Sequence, residues 1–246
     1  MRKSIPNILT LLNLFCGCIA IVLVFNGAYT QASWMIILGS GFDFLDGTAA
    51  RLLNARSELG KQLDSLADVV SFGVAPACIM YALLVNASGG SVNAFVNIAA
   101  LPAFFIVIFS ALRLAKFNID ETQNDSFRGL PTPANALFIC SLPFIYLNAA
   151  NKGGFYALMS PLAGNYYVLL VMTLLLSFLL VSNLPLMGLK FKSLHWKPNS
   201  YKYIFLLATL IMALMTGFSA APFVILFYIL LSAAEYQHKK YDAESR

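Results

Sequence analysis

Four aspartates stand in one short stretch, "GFDFLDGTAARLLNARSELGKQLDSLAD" (41–68): Asp43 and Asp46 are three apart, Asp64 and Asp68 four apart. On helices, each pair occupies one face. If the polar turn around "NARSELG" joins two antiparallel helices, all four carboxylates converge. Converging carboxylates repel one another and are costly to desolvate, so a cation must sit among them. Oxygen donors with no nearby His or Cys suit Mg²⁺ or Mn²⁺ rather than zinc. Two such ions, bridged by shared carboxylates, bind a diphosphate well. Gly47 directly follows Asp46 and Gly60 stands four before Asp64, leaving backbone open to a ligand. Arg51 is placed to pair with phosphate oxygens. The structural alternative is an ion-pair network in which Arg51, Arg56 and Lys61 neutralise the acids, but such a network does not require this spacing of glycines and acids.

The elements that carry these residues are expected to be membrane helices. Hydrophobic residues make up 59% of the 246, charged residues only 11%, and the mean hydropathy is +0.76; a soluble domain carries about 25% charged residues. Apolar runs at 8–28, 69–85, 96–112, 166–181 and 203–231 approach or exceed the 17–25 residues or so that span a bilayer. Two less apolar spans are added at about 32–53 and 132–150, and "TGFSAAP" (216–222) divides the last run. The expected fold is an all-α integral membrane bundle of about eight transmembrane helices, forming one domain over 1–246. With the N- and C-termini cytoplasmic, 15 of the 16 lysines and arginines fall on the cytoplasmic side and only Lys152 outside, as the positive-inside rule requires. The net charge of +5 is then explained by orientation and anionic lipid headgroups, with no nucleic acid partner.

Cys16, Cys18, Cys78 and Cys140 all fall inside predicted spans and read as small apolar packing residues. The first run is long and lacks a clear small-residue cleavage site, so it is expected to be a retained helix rather than a signal peptide. His195 and His238 sit in basic segments and receive no catalytic role. A cation-coupled transporter would spread polar residues across the membrane depth; the acids here gather toward one face, which favours an enzyme.

Reading from Asp43, the pattern D-x2-D-G-x2-A-R-x8-G-x3-D-x3-D is filled by Asp43, Asp46, Gly47, Ala50, Arg51, Gly60, Asp64 and Asp68. This resembles the signature of the CDP-alcohol phosphotransferase family at every position. The resemblance implies a six-helix core plus two further helices, here about 201–236, a homodimer, and two divalent ions. It implies displacement at the lipid-bearing phosphorus of a CDP-linked lipid by an alcohol, with release of CMP. It makes Asp43, Asp46, Asp64 and Asp68 metal ligands, Asp68 also the general base, and Asn7, Gly47, Ala50, Arg51 and Gly60 the CDP site. Asn13 is a further candidate for nucleotide or phosphate contact.

"IPNILTLLNLFCG" (5–17), "SLADVVSFGVAPA" (65–77), "RLAKFN" (113–118) and "FRGLPTPANA" (127–136) resemble the phosphatidylserine synthase branch of that family. This implies CDP-diacylglycerol and L-serine as substrates, in the cell membrane, with the site facing the cytoplasm. Serine carries a carboxylate and an ammonium, so the acceptor-side segments at about 113–136 should offer fixed polar groups. Arg113 and Arg128 are the expected carboxylate or phosphate contacts, with Asn118 a polar partner; Ser71 and Phe72 either shape the acceptor pocket or pack helices. Glycerol 3-phosphate or an inositol phosphate as acceptor, and an archaeal ether lipid as donor, remain alternatives.

Overall fold

A buried stripe of small and polar residues, Pro6, Thr10, Asn13, Gly17, Ala20 and Val24, runs along the otherwise apolar helix α1 (Ser4–Phe25) and recurs at the three- and four-residue spacing of one helix face. The computed structural model, which describes residues 4–55, 57–90, 96–119, 127–152, 155–188 and 196–244, packs that stripe against α2 (Tyr29–Leu52) and α3 (Glu58–Asp68). The Ser57 side chain caps α3, its Oγ accepting from Gly60 N at 3.0 Å, which fixes where the chain re-enters the bundle after the turn.

The helix does not stop at Asp68. It continues through a π-helical turn (Val69–Val74) into α4 (Ala75–Ala87) as one 30-residue rod, so the span expected at 69–85 begins at Glu58. α4 is buried on nearly every side, with Ala75, Ala77, Ile79, Met80, Ala82 and Leu84 fully enclosed, as a helix apolar all round requires. A 3₁₀ turn (Ile98–Phe104) then leads into α5 (Phe105–Ile119), followed by α6 (Thr132–Lys152), the short α7 (Phe155–Met159) and α8 (Pro161–Gly164), and α9 (Tyr166–Val181). A two-residue antiparallel ribbon joins β1 (Phe127–Arg128) to β2 (Pro185–Leu186).

The final apolar stretch divides as expected. α10 (Trp196–Thr216) and α11 (Ala221–Glu244) flank a 3₁₀ turn at Gly217–Ala220, and Gly217 has φ +62°, a conformation that costs an L side chain. Phe205 meets Tyr228 at 5.3 Å between ring centroids and Tyr201 meets His238 at 6.3 Å. Those pairings require the two helices to run antiparallel.

Successive passes alternate between two ends of the bundle. At one end, Lys61 on α3 reaches the last turn of α5, Arg113 on α5 reaches Thr132 at the start of α6, and Leu130 N donates to Leu179 O at the end of α9. At the other, Asn86 bonds Tyr29, Tyr166 bonds the Ala99 carbonyl, and Asn148 bonds Ser219 in the α10–α11 turn. Four helical stretches among the described residues are long and apolar enough to cross a membrane, Ser4–Phe25, Glu58–Ala87, Ile98–Ile119 and Asn199–His238; the bent pair Tyr156–Gly164 and Tyr166–Val181 makes a fifth if it is one span. The protein is therefore all-α and membrane-embedded. α2 and α6 have the length for a span, at 24 and 21 residues, but carry more polar residues.

Gly17 shows how closely α1 lies on the π turn: a Cβ there would sit 2.8 Å from the Ser71 Cα, which is too near for the backbones to stay in place. Gly17→Ala is expected to destabilise the protein by about 1–3 kcal/mol. Thermal unfolding in detergent measures this; an unchanged midpoint would show that the crossing has slack.

Candidate active site

The four signature aspartates arrive from two helices, as their spacing requires. α2 carries Asp43 and Asp46 toward its C-terminal end, and α3 carries Asp64 and Asp68. Carboxylate oxygens of Asp43, Asp64 and Asp68 lie within 4.8 Å of one another. Asp46 stands outside this triad and is held separately, its Oδ2 accepting from Thr10 Oγ1 at 2.6 Å. The expected convergence thus resolves into three acids together and a fourth beside them. Asp46 and Asp68 are buried, at 5% and 8% exposed.

The triad has few partners of its own. Asn13 Nδ2 donates to Asp68 Oδ1 at 3.3 Å, while Asp64 Oδ1 is buried with no hydrogen-bond partner among the described residues. The basic residues proposed as neutralising partners are engaged elsewhere: Arg51 Nη2 donates to Thr48 Oγ1 at 3.2 Å, and Lys61 Nζ to the Asn118 carbonyl at 2.8 Å. Arg56 lies outside the described residues. Three clustered oxygen donors with an orphaned buried oxygen fit a hard divalent cation. That is the fit the donor set allows, and among the described residues zinc's usual nitrogen and sulfur ligands do not accompany it.

Beside the acids opens a cavity of about 550 Å³ lined by Asn7, Thr10, Asp46, Gly47, Ala50 and Gly60, with Ser57, Glu58, Lys61 and Asp64 among the rest. Four of the five residues expected at a nucleotide site, Asn7, Gly47, Ala50 and Gly60, are therefore brought together. Among the described residues, a Cβ on Gly47 would meet nothing within 4 Å, and one on Gly60 would press on Asn7 Oδ1 at 3.2 Å. Arg51 does not line the cavity. It is exposed and bonded to its own helix, because it falls on α2 one residue beyond the face that presents Asp43, Asp46 and Ala50.

The acceptor-side residues are partly placed. Arg113 Nη1 donates to Thr132 Oγ1 at 3.1 Å, its Nε is buried without a partner among the described residues, and it is close enough to Asp68 for their charges to interact. Asn118 is occupied on both sides: its Nδ2 donates to Ser65 Oγ at 2.8 Å and its carbonyl accepts from Lys61, so it fastens α5 to α3 in this arrangement. The Arg128 backbone pairs with Pro185, and its side chain lies outside the described residues, as does His195. Ser71 Oγ donates to the Asn13 carbonyl at 2.9 Å and Phe72 is fully buried; both pack helices here rather than line the cavity.

Besides Asn7, α1 supplies two residues that hold the acids. Thr10 and Asn13, three residues apart and so on one face, each hold one acid, and Asn13 does so instead of lining the cavity. Thr10 escaped the sequence reading, although a threonine and two asparagines on one face of an apolar helix were the signal.

The profile of the CDP-alcohol phosphatidyltransferase family matches residues 3–181, which include α1 to α9, both acid pairs and the cavity. The chain belongs to that family. Among curated relatives of this phosphatidyltransferase, a Helicobacter pylori protein named CDP-diacylglycerol–serine O-phosphatidyltransferase is 34% identical over 209 residues, covering 84% of this chain and 80% of the relative. A Bacillus subtilis protein of the same name is 37% identical over 142 residues, 58% of this chain and 76% of the relative. An archaetidylserine synthase from Methanothermobacter thermautotrophicus is 35% identical over 177 residues, 71% of this chain and 67% of the relative.

Proposed function

We propose that this phosphatidyltransferase moves the phosphatidyl group of CDP-diacylglycerol to the hydroxyl of L-serine, making phosphatidylserine and CMP. The observation that carries the reading is the Asp43–Asp64–Asp68 triad opening beside a cavity whose lining includes Asn7, Gly47, Ala50 and Gly60. The names of the relatives support serine as the acceptor.

Asp43, Asp46, Asp64 and Asp68 hold two divalent ions, Mg²⁺ or Mn²⁺, which when bound neutralise the diphosphate and stabilise charge on the departing CMP. Asp68 accepts the serine hydroxyl proton; a carboxylate within hydrogen-bond reach makes an alcohol a competent nucleophile in the transition state. Asn13 keeps Asp68 in place through the 3.3 Å bond to Oδ1, and Thr10 does the same for Asp46. Asn7, Gly47, Ala50 and Gly60 receive the cytidine nucleotide, with Arg51 turning toward a phosphate. Arg113 and Arg128, with Asn118, receive the serine carboxylate or the transferred phosphate.

All eight helical passes cross the cell membrane, with both termini and the site on the cytoplasmic face; the alternation of contacts between two bundle ends supports the passes, and the distribution of lysines and arginines supports the orientation. The domain spans 1–246, with α10 and α11 added to the family core, and works as a homodimer. The archaetidylserine synthase relative favours one second reading, an ether-linked donor, since either kind of apolar chain suits the lipid-facing surface.

Release of CMP by the detergent-purified protein tests the proposal directly. It is expected to require Mg²⁺ or Mn²⁺, CDP-diacylglycerol and serine together, with phosphatidylserine as product. CMP release driven instead by glycerol 3-phosphate or an inositol phosphate would overturn the acceptor, and release only from an ether-lipid donor would overturn the diacylglycerol assignment.

A further inference from the structure

Lys61 is a basic residue of the signature region that, like Arg56, the acid-and-glycine pattern leaves without a task. It stands on α3 three residues before Asp64 and seven before Asp68, so all three share one stripe of the helix. Lys61 and Asp64 line the same cavity, together with Asp46 and Glu58; among the described residues that line it, Lys61 is the one cation. Arg51, nominated by spacing for a phosphate, is bonded to Thr48 instead.

The present partner of Lys61 is a neutral one. Its Nζ donates to the main-chain carbonyl of Asn118, in the last turn of α5, at 2.8 Å. A carbonyl at a helix C-terminus offers an ammonium only a partial negative charge, whereas a phosphate oxygen carries a formal one and adds full charge–charge attraction to the hydrogen bond. Lysine suits this exchange, being a compact charge on a flexible stem. Asn118 does not depend on Lys61 alone, because its Nδ2 also donates to Ser65 Oγ at 2.8 Å; α5 stays docked on α3 when the lysine leaves.

We propose that Lys61 is a donor-substrate ligand, parked on the Asn118 carbonyl and transferred to a phosphate of the CDP-linked lipid when that substrate enters the cavity. The inference rests on the reading of the cavity as a CDP site. It adds a cationic contact with the diphosphate from α3, on the same stripe as two of the acids, and makes donor binding release one of the two bonds that, among the described residues, tie Asn118 of α5 to α3.

The test uses the full-length protein in detergent as wild type, Lys61→Met, Lys61→Arg and Ser65→Ala. CMP release measures KM for CDP-diacylglycerol and for serine, and titration calorimetry with Mg²⁺ measures Kd for CDP without any acceptor. Lys61→Met is expected to raise donor KM and CDP Kd by about tenfold to a hundredfold, with Lys61→Arg recovering most of the loss. Ser65→Ala, which removes the other tether of Asn118 and keeps the charge, is expected to leave donor KM and CDP Kd as in wild type. Lys61→Met with donor KM and CDP Kd within about twofold of an active wild type, or Ser65→Ala with the same defect as Lys61→Met, would overturn the inference and leave Lys61 a tether. Absence of CMP release by wild type with any acceptor would instead sink the phosphatidyl-transfer reading, while the calorimetric comparison still decides the role of Lys61.

Discussion

Asp68→Asn is expected to lower turnover by a factor of about 10² to 10⁴, the usual contribution of a positioned general base, while CDP binding in the presence of Mg²⁺ persists. The side chain is buried at 8% exposed and its Oδ1 accepts from Asn13. An asparagine keeps that shape, and its own carboxamide oxygen still accepts from Asn13, so the change removes proton acceptance with little disturbance of packing. Ser71, bonded to the Asn13 carbonyl, and Gly17, pressed on Ser71, hold the same corner from the other side and are untouched. CMP release at saturating CDP-diacylglycerol and serine, paired with calorimetric CDP binding, checks both halves. A variant that keeps more than about a tenth of the wild-type rate is outside the range for a general base and would remove Asp68 from that role.

Asp43→Ala is expected to abolish metal-dependent CDP binding and turnover together, because it takes one member from a three-carboxylate cluster whose oxygens lie within 4.8 Å. Its effect on stability should change sign with the metal. Without divalent ions the variant is expected to unfold at or above the wild-type temperature, since three close carboxylates repel. With metal at about 100 times its dissociation constant, wild type gains about 2.7 kcal/mol by mass action, and the variant gains little of it. Thermal unfolding in detergent, with and without Mg²⁺, reads this difference. Normal CDP binding by Asp43→Ala in Mg²⁺ buffer would show that the triad is not the metal site.

The pairing of Asp43 and Asp46 with Asp64 and Asp68 was legible in the sequence, because helical spacing places each pair on one face and a short polar turn leaves the two helices no choice but to fold back. The division of the last apolar stretch was legible too, since "TGFSAAP" interrupts a run too long for one span, and the chain turns there, with Gly217 at positive φ. Membrane embedding followed from the length and number of apolar runs. Other features depended on contacts between segments far apart in the chain. Helical periodicity does not say that Thr10 takes Asp46 and Asn13 takes Asp68, because that pairing depends on the angle and depth at which α1 crosses, set by Gly17 against Ser71. Nor does it say that Asp46 stands apart from the other three acids, or that Arg51 turns from the cavity while Lys61 lines it. A motif records which residues are near one another along the helix; their rotation about its axis relative to a neighbouring helix is settled only when side chains interlock. The sequence by itself determined the chemistry available at this end of the bundle, and the tertiary packing decided which side chains face the acids, the cavity and one another.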